Sequence, residues 1–299
     1  MTTQNHNENK SFSIIIPAYN EENSICSVIK NLIEKLSNID LLYEIIVVND
    51  CSTDNTRQEV LSLDIPVKLI DHKMNKGYGA ALKTGIQQSK YDLIVITDAD
   101  ETYPNEKIID LVCAVSKNNH DMVVGARTGA NVSIPLIRKP AKWAINCLAN
   151  YLTRTKIPDL NSGLRVMKKD FVLKHMNILP DGFSFTSTIT IAGLTNNNSI
   201  QYLPINYYPR KGVSKIRPIH DTLNFIQLII RTALYFDPLR VFIPFSLFLQ
   251  VLAFLLLVIS QLTLGKLMDV TFGVIIMASI IVLAIGMLAD LIDKRLVNK

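Results

Sequence analysis

The sequence predicts an α/β fold, with a mostly parallel sheet flanked by helices and followed by a two-helix transmembrane hairpin. Short β-branched runs alternate with helical patterns over the first 125 residues, and the 45–48 run (Ile-Ile-Val-Val) is apolar on both faces. Strands buried on both faces are typical of parallel sheets covered by helices. Residues 241–264 and 270–292 are nearly uncharged and long enough to cross a hydrocarbon core. A pair of buried core helices is the alternative.

The elements follow one another in a βα order in the first half of the chain. Strands are predicted at residues 12–17, 43–49, 67–71, 93–97 and 122–125, with helical patterns between them. Beyond residue 130 the pattern predicts an amphipathic helix at 134–152, a loop at 158–163 and a last strand at 202–207. Residues 221–236 carry apolar side chains largely on one side, which favours an interfacial helix over a core helix packed on the sheet.

Charge and composition indicate which partners and which cellular compartment to expect. The net charge is +5, and Arg210, Lys211, Lys215 and Arg217 cluster just before the first membrane-directed segment, which suits an anionic lipid headgroup. Nucleic acid is not expected, since no recognised binding motif occurs. The four cysteines lack metal-binding spacing, which fits a reducing compartment. No apolar leader precedes the first strand, and basic residues flank the outer ends of the hairpin, so both termini are expected in the cytoplasm.

Three of the predicted strands end in polar turns. The first runs into residues 17–22 (Pro-Ala-Tyr-Asn-Glu-Glu), the second into 49–54 (Asn-Asp-Cys-Ser-Thr-Asp) and the fourth into 98–100 (Asp-Ala-Asp). Ligands of open α/β sheets bind beyond the carboxyl ends of the strands, so a binding site is expected there. Asp98 and Asp100 could share a hard divalent cation with phosphate oxygens, although acidic pairs also cap helices and Pro104 indicates a helix start nearby.

These turns, together with residues 75–79 (Asn-Lys-Gly-Tyr-Gly), resemble glycosyltransferase family 2 in order and spacing, and in particular the branch that makes polyprenyl-phosphate sugars. The resemblance covers roughly residues 12–240. It implies a GT-A type fold and an inverting transfer of one hexose from a nucleotide-sugar donor to polyprenyl or dolichyl phosphate. It also implies Mg²⁺ or Mn²⁺, which would neutralise the charge of the departing nucleoside diphosphate.

The resemblance assigns donor and metal roles to individual residues. The nucleotide base and ribose would be held by Pro17, Tyr19, Asn20, Glu21 and Asp50. Lys76 and Gly77 would let the backbone approach the ligand, although a simple turn before a helix also needs them. Asp98, Asp100 and Thr102 would hold the metal. Thr102 stands where the mannosyl-phosphate branch has Gln, which favours a UDP-hexose or UDP-N-acetylhexosamine donor and leaves GDP-mannose open.

Basic residues further along are assigned to the acceptor and the diphosphate. Arg127 and Arg138 could face the acceptor phosphate, although an arginine on a surface helix is usually only solvated. Residues 159–165 resemble the acidic-glycine loop that borders the acceptor site in the family. In the same way, Arg210, Ser214 and Lys215 belong to a segment expected to close over the diphosphate.

The resulting organisation has four parts. They are a disordered N-terminus at 1–10, a GT-A catalytic domain at 11–217, a juxtamembrane amphipathic segment at 218–238 and a transmembrane hairpin with a short cytoplasmic tail at 239–299. Membrane lipids are expected partners, and a homo-oligomer is left open. One alternative is a family 2 transferase with another acceptor such as a glycan, although its processive members carry a Q-x-x-R-W segment that is missing here. The other is an inactive membrane scaffold, which the retained Asp50, Asp98 and Asp100 disfavour.

Overall fold

The computed structural model describes residues 11–37, 39, 41–129, 139–209, 230, 234, 237–265 and 269–297. The expected disordered N-terminus, the 210–217 segment, nearly all of the predicted interfacial helix and the tail beyond residue 297 lie outside these ranges. The four-part division of the chain therefore stays a prediction.

Seven strands form one sheet in the described part of the chain. They are β1 (Phe12–Ala18), β2 (Tyr43–Asn49), β3 (Val67–Asp71), β4 (Leu93–Ile96), β5 (Met122–Ala126), β6 (Arg165–Lys168) and β7 (Ile200–Pro204). Their order is β3-β2-β1-β4-β6-β5-β7. β1 pairs in parallel with both β2 and β4, so the carboxyl ends of these three strands meet at one edge. The five strands predicted in the first half are confirmed to within a residue.

The sequence did not predict β6 and misplaced β7. β6 inserts between β4 and β5 and runs antiparallel to both. β7 was expected at 202–207 but spans Ile200–Pro204, and its regular pairing with β5 ends at Ala126.

Helices cover both faces of the sheet. They are α1 (Ile25–Leu36), α2 (Thr56–Leu61), α3 (Tyr78–Gln87), α4 (Ile108–Asn118), α5 (Lys139–Thr153), α6 (Lys169–His175) and α7 (Phe185–Thr195). β1 shows how the sequence builds two layers: Ile14 and Ile16 pack in the cluster that holds α1 and α4, whereas Ile15 packs in the one that holds α3 and α7. This alternation follows from the two-residue period of a strand.

The two C-terminal apolar runs form long helices, α8 (Leu239–Leu264) and α9 (Asp269–Val297). Both are long and apolar enough to cross a membrane, and only 11% of the apolar stretch of each is buried by the rest of the protein. They pack on each other through small and polar side chains: the hydroxyls of Ser246 and Ser279 lie 2.9 Å apart, and Gln250 donates to Ser279 at 3.1 Å. Small residues allow the close approach that helices need in a membrane.

Candidate functional site

A cavity of about 720 Å³ opens beyond the carboxyl ends of β1, β2 and β4. Eight of the residues singled out in the sequence line it: Pro17, Tyr19, Glu21, Asp50, Gly77, Asp98, Asp100 and Arg127. Asn20 and Lys76 are chain neighbours of these residues, and Thr102 adjoins Tyr103, which also lines the cavity. The three polar turns therefore meet in one place, whereas Arg138, Arg210, Ser214 and Lys215 lie outside the described residues. The ligand that each residue binds stays a prediction.

The paired carboxylates of Asp98 and Asp100 are each oriented by a hydroxyl group. Tyr78 donates its hydroxyl to Asp98 Oδ1 at 3.1 Å, and burial raises the pKa of Tyr78, which keeps the donor proton in place. Thr102 is fully buried and donates its hydroxyl to Asp100 Oδ1 at 2.6 Å. Thr102 therefore fixes one of the carboxylates, and its direct binding of a metal stays a prediction.

Gly163, on the loop before β6, leaves the space that the Asp98 carboxylate occupies. A β-carbon at Gly163 would lie 2.7 Å from Asp98 Oδ2, closer than real side chains approach. The same residue donates its backbone N–H to the hydroxyl of Tyr103 at 2.6 Å, and burial raises the pKa of Tyr103. The acidic-glycine loop that the sequence singled out at 159–165 is thus fixed against the Asp-Ala-Asp turn.

Asp50 is buried and already accepts three hydrogen bonds. Its Oδ1 accepts the backbone N–H of Lys76 at 2.9 Å and bonds to Nδ1 of His72 at 2.7 Å, while its Oδ2 accepts the N–H of Gly77 at 2.8 Å. His72 is held in turn by Thr84, 2.9 Å from its Nε2. A carboxylate has about four acceptor positions, so about one is left to face the cavity. His72 directly follows β3, and no local pattern in the sequence marks it as a site residue.

The two glycines at the start of α3 make room for another part of the chain. A β-carbon at Gly77 would lie 2.5 Å from the carbonyl oxygen of Asp181, and one at Gly79 would overlap the carbonyl of Pro180. Ala80 donates its N–H to Asp181 at 3.1 Å. Lys83 adds an ion pair with Asp181 at 2.7 Å. Gly77 also lines the cavity, so its predicted ligand contact stays open, but close packing of the 180–182 loop already requires both glycines.

Each of the three polar turns contains, or is directly followed by, a non-glycine residue in the left-handed region. These are Asn20 at φ 53°, Cys51 at φ 59° and Glu101 at φ 59°. Such backbone costs free energy in residues other than glycine and tends to occur at functional sites. Asn20 links two of the turns, because its backbone N–H donates to Ser52 at 3.0 Å and its side-chain oxygen accepts the N–H of Thr53 at 2.8 Å.

Arg127 forms a two-pronged ion pair at the cavity wall. Its Nε lies 2.7 Å from Oδ2 of Asp159 and its Nη2 lies 2.8 Å from Oδ1. The Asp159 side chain is 1% exposed, and the guanidinium also lies over the ring of Tyr207. Planar bidentate pairing fixes the orientation of an arginine, so Arg127 presents one defined edge to the cavity.

Arg165 is a fully buried arginine at the end of the 159–165 loop, and the sequence indicated no individual role for it. Its guanidinium donates to the carbonyl of Thr186 at 3.0 Å, to the hydroxyl of Thr190 at 3.1 Å and to the carbonyl of Ser162. Burial lowers the pKa of Arg165. The side chain thus fastens the 159–165 loop to α7, whose Thr186 lines the cavity. Its position between the apolar residues Leu164 and Val166 was the available signal.

The acidic residues fit a divalent cation that also binds phosphate. Within the described ranges no three His, Cys, Asp or Glu side chains converge to enclose a metal by themselves. Asp98 and Asp100 both line the cavity, and Mg²⁺ commonly takes one or two carboxylates, with phosphate oxygens and water completing its shell. The arrangement suits a cation that arrives with a diphosphate.

The model of the family described as glycosyl transferase family 2 matches residues 13–175, more than half of the chain. The chain belongs to this family. The match covers β1 to β6 and every residue discussed above up to Arg165, including the Asp-Ala-Asp turn.

Named relatives of this family 2 chain include a dolichol-phosphate mannosyltransferase of Pyrococcus furiosus, 34% identical over 69% of this chain and 59% of that protein. A dodecaprenyl-phosphate galacturonate synthase of Rhizobium johnstonii is 24% identical over 68% of this chain and 61% of that protein. The chain thus spans about three-fifths of the length of these relatives.

A solved structure with a similar fold is the glucosyl-3-phosphoglycerate synthase of Mycobacterium tuberculosis in complex with Mn²⁺, uridine diphosphate and phosphoglyceric acid. It has a TM-score of 0.58, at 18% identity over 75% of this chain and 78% of that one. The predicted GT-A type fold is confirmed.

Proposed function

We propose that this protein transfers one hexose from a nucleotide sugar to a polyprenyl or dolichyl phosphate at a membrane. The observation that carries the proposal is the Asp98–Asp100 pair in a cavity formed by three strand ends, in a chain that also has two membrane-length apolar helices. The names of the Pyrococcus and Rhizobium relatives support the acceptor class.

The reaction needs no strongly basic side chain. A phosphate monoester is already largely anionic at neutral pH, so one of its oxygens can attack the anomeric carbon once it is oriented. The new C–O bond forms on the face opposite the leaving group, the bond from the anomeric carbon to the β-phosphate oxygen breaks, and the nucleoside diphosphate leaves with the electron pair. The configuration at the anomeric carbon is therefore inverted.

Asp98 and Asp100 would hold Mg²⁺ or Mn²⁺, and Thr102 would assist either as a ligand or through its bond to Asp100. When bound, the cation stabilises the negative charge that builds up on the departing diphosphate. The protein's own contribution is orientation: Tyr78 and Thr102 fix the two carboxylates, and Gly163 allows Asp98 to approach. The Mn²⁺ in the mycobacterial synthase supports a divalent cation here.

The state of Asp50 supports a uridine donor. The Asp50 carboxylate has about one acceptor position left after His72, Lys76 and Gly77 have bonded to it. The Watson–Crick edge of uracil offers a single N–H, whereas guanine offers two adjacent N–H donors that match a carboxylate with both oxygens open. A UDP-hexose or UDP-N-acetylhexosamine is the donor we favour over GDP-mannose.

Two arginines are proposed to face the acceptor phosphate, and Arg127 is the one within the described residues. Asp159 neutralises it and fixes its plane, so it would orient an acceptor phosphate through a defined N–H edge rather than through free net charge. The catalytic roles of Arg127 and Arg138, and closure of Arg210, Ser214 and Lys215 over the diphosphate, belong to this proposal.

We place the catalytic domain and both termini on the cytoplasmic side. Several basic residues flank the outer ends of the hairpin, whereas the 265–269 connection carries a single lysine. Basic residues are enriched on the cytoplasmic side of membrane helices, which supports this orientation. Labelling of a cysteine introduced at Lys266 from the outside of sealed cells would test this orientation.

One experiment tests the acceptor. Purified protein in detergent is given a nucleotide sugar with and without a polyprenyl phosphate, and release of the nucleoside diphosphate is measured. The proposal expects release that depends on the lipid phosphate. Equal release with a glycan acceptor would favour another family 2 activity, and no release with any donor would favour an inactive scaffold.

A further inference from the structure

A proline in α8 leaves one backbone carbonyl without its helical partner. Pro244 has no N–H, so it cannot donate to the carbonyl of Arg240 four residues earlier. The hydroxyl of Tyr151, on α5 of the catalytic domain, donates to that carbonyl at 3.4 Å. A proline inside the first membrane helix thus creates an acceptor that the catalytic domain uses.

The side chain of Arg240 returns the contact. Its guanidinium donates to the carbonyl of Leu152, one of the last carbonyls of α5, which have no partner within their own helix. A cation at this end is also favoured by the helix dipole. Arg240 is held in place by Asp237, 2.8 Å away. The last turn of α5 and the first turns of α8 therefore each satisfy a carbonyl of the other, and we call these reciprocal contacts the α5–α8 joint.

Apolar packing continues from the joint to the cavity. Val241 packs against a cluster formed by Ala149, Leu152, Ile157, Leu160 and Ile191. Ile157 and Leu160 flank Asp159, the residue that fixes Arg127. Asn161, the next residue along, lines the cavity. The base of the first membrane helix is thus connected, through one packed cluster, to the Arg127 side of the cavity.

We propose that the α5–α8 joint sets the height and tilt of the cavity over the membrane, so that a phosphate carried by a membrane-resident lipid meets Arg127. Tyr151 and Arg240 are positioning residues in this view and touch no substrate. The inference rests on the proposed function for its substrate. The inference requires a rigid connection between the catalytic domain and α8. A flexible connection would align the cavity with the lipid headgroup only part of the time.

Two conservative variants weaken the joint without opening a cavity. Tyr151→Phe removes the hydroxyl from a side chain that is 54% exposed. Pro244→Ala supplies the missing N–H to the Arg240 carbonyl and so competes with Tyr151, while it improves helix propensity. Lys35→Gln, which breaks the exposed pair with Glu34 on α1, is the matched control.

The first measurement compares two acceptors. Transfer to a long-chain polyprenyl phosphate in vesicles should fall about fivefold in both joint variants, the fold-change that corresponds to one net hydrogen bond. Transfer to a short, water-soluble prenyl phosphate and the Kd of the nucleoside diphosphate should not change. Equal losses with both acceptors, or none in vesicles, would overturn the inference.

The second measurement does not depend on activity. Spin labels on Cys113 of α4 and on an introduced Leu262→Cys near the end of α8, with the other three cysteines changed to serine, report the distance between the domain and the hairpin by pulsed electron paramagnetic resonance. The distance distribution should broaden in both joint variants and stay narrow in Lys35→Gln. Unchanged widths of the distance distributions in the joint variants would overturn the inference. Wild-type protein that transfers to neither acceptor would refute the proposed function instead. The widths of the distance distributions would still show whether the α5–α8 joint is rigid.

Discussion

The carboxylate of Asp98 lies against the backbone of Gly163, so close that a β-carbon there would come within 2.7 Å of Oδ2. The two residues are far apart in the sequence and belong to different halves of the site, one to the Asp-Ala-Asp turn and the other to the loop before β6. Their contact means that the Asp-Ala-Asp turn and the loop before β6 cannot move independently.

Gly163→Ala is therefore expected to lower transfer at least about tenfold, equivalent to about 1.4 kcal/mol of barrier, because Asp98 or the loop must shift. The apparent affinity for Mn²⁺, measured by titration of activity, should fall as well. Gly273→Ala on α9, where an added β-carbon meets nothing within 4 Å, is the control and should keep both. Unchanged metal affinity in Gly163→Ala would show that the contact does not matter for the site.

Asp100→Asn should abolish transfer and leave the protein folded. The amide keeps the shape of the side chain but removes the charge that a divalent cation needs. EDTA should reproduce the loss in the unmutated protein, and added Mg²⁺ or Mn²⁺ should restore it. Activity within about tenfold of the wild type would mean that no more than about 1.4 kcal/mol was lost, which is too little for a metal ligand.

Asp50→Asn should weaken binding of uridine diphosphate by about 1.5–3 kcal/mol, since an acceptor for the base is replaced in part by a donor. Calorimetry on the wild type should also show tighter binding of uridine diphosphate than of guanosine diphosphate. Asp64→Asn, an exposed carboxylate before β3, should bind both as the wild type does. A wild type that prefers guanosine diphosphate would contradict the count of acceptor positions on Asp50.

Arg165→Met should lower the free energy of unfolding by about 2 kcal/mol or more. Methionine fills much of the space, but the buried carbonyls of Ser162 and Thr186 lose their donor, and an unpaired buried acceptor costs about 1–3 kcal/mol. Urea unfolding in detergent measures the loss, with the exposed Lys174→Met as control. Equal stability of the two variants would mean that the loop before β6 does not need its anchor to α7.

Local pattern was enough to predict much of the architecture. The strands β1 to β5 were found from their short runs of apolar, often β-branched residues. The helices α8 and α9 were found because their apolar runs are long enough to cross a membrane. The Asp-Ala-Asp turn was found because it directly follows a buried strand. Such features depend on neighbouring residues in the chain, and the sequence displays them directly.

Tertiary structure alone decided which residues support the site. β6 enters the sheet antiparallel between two strands that precede it, and the contacts of Gly77 with Asp181, Asp98 with Gly163 and Arg165 with Thr186 each join distant segments. The glycines of residues 75–79 are equally compatible with a ligand and with a packed loop until that loop is placed. The sequence by itself determined β1 to β5, the two long C-terminal helices and the acidic turn, because these follow from the local pattern of apolar residues. The partners that orient Asp50, Asp98 and Arg127 were decided only by the fold, because those contacts join segments that are far apart in the sequence.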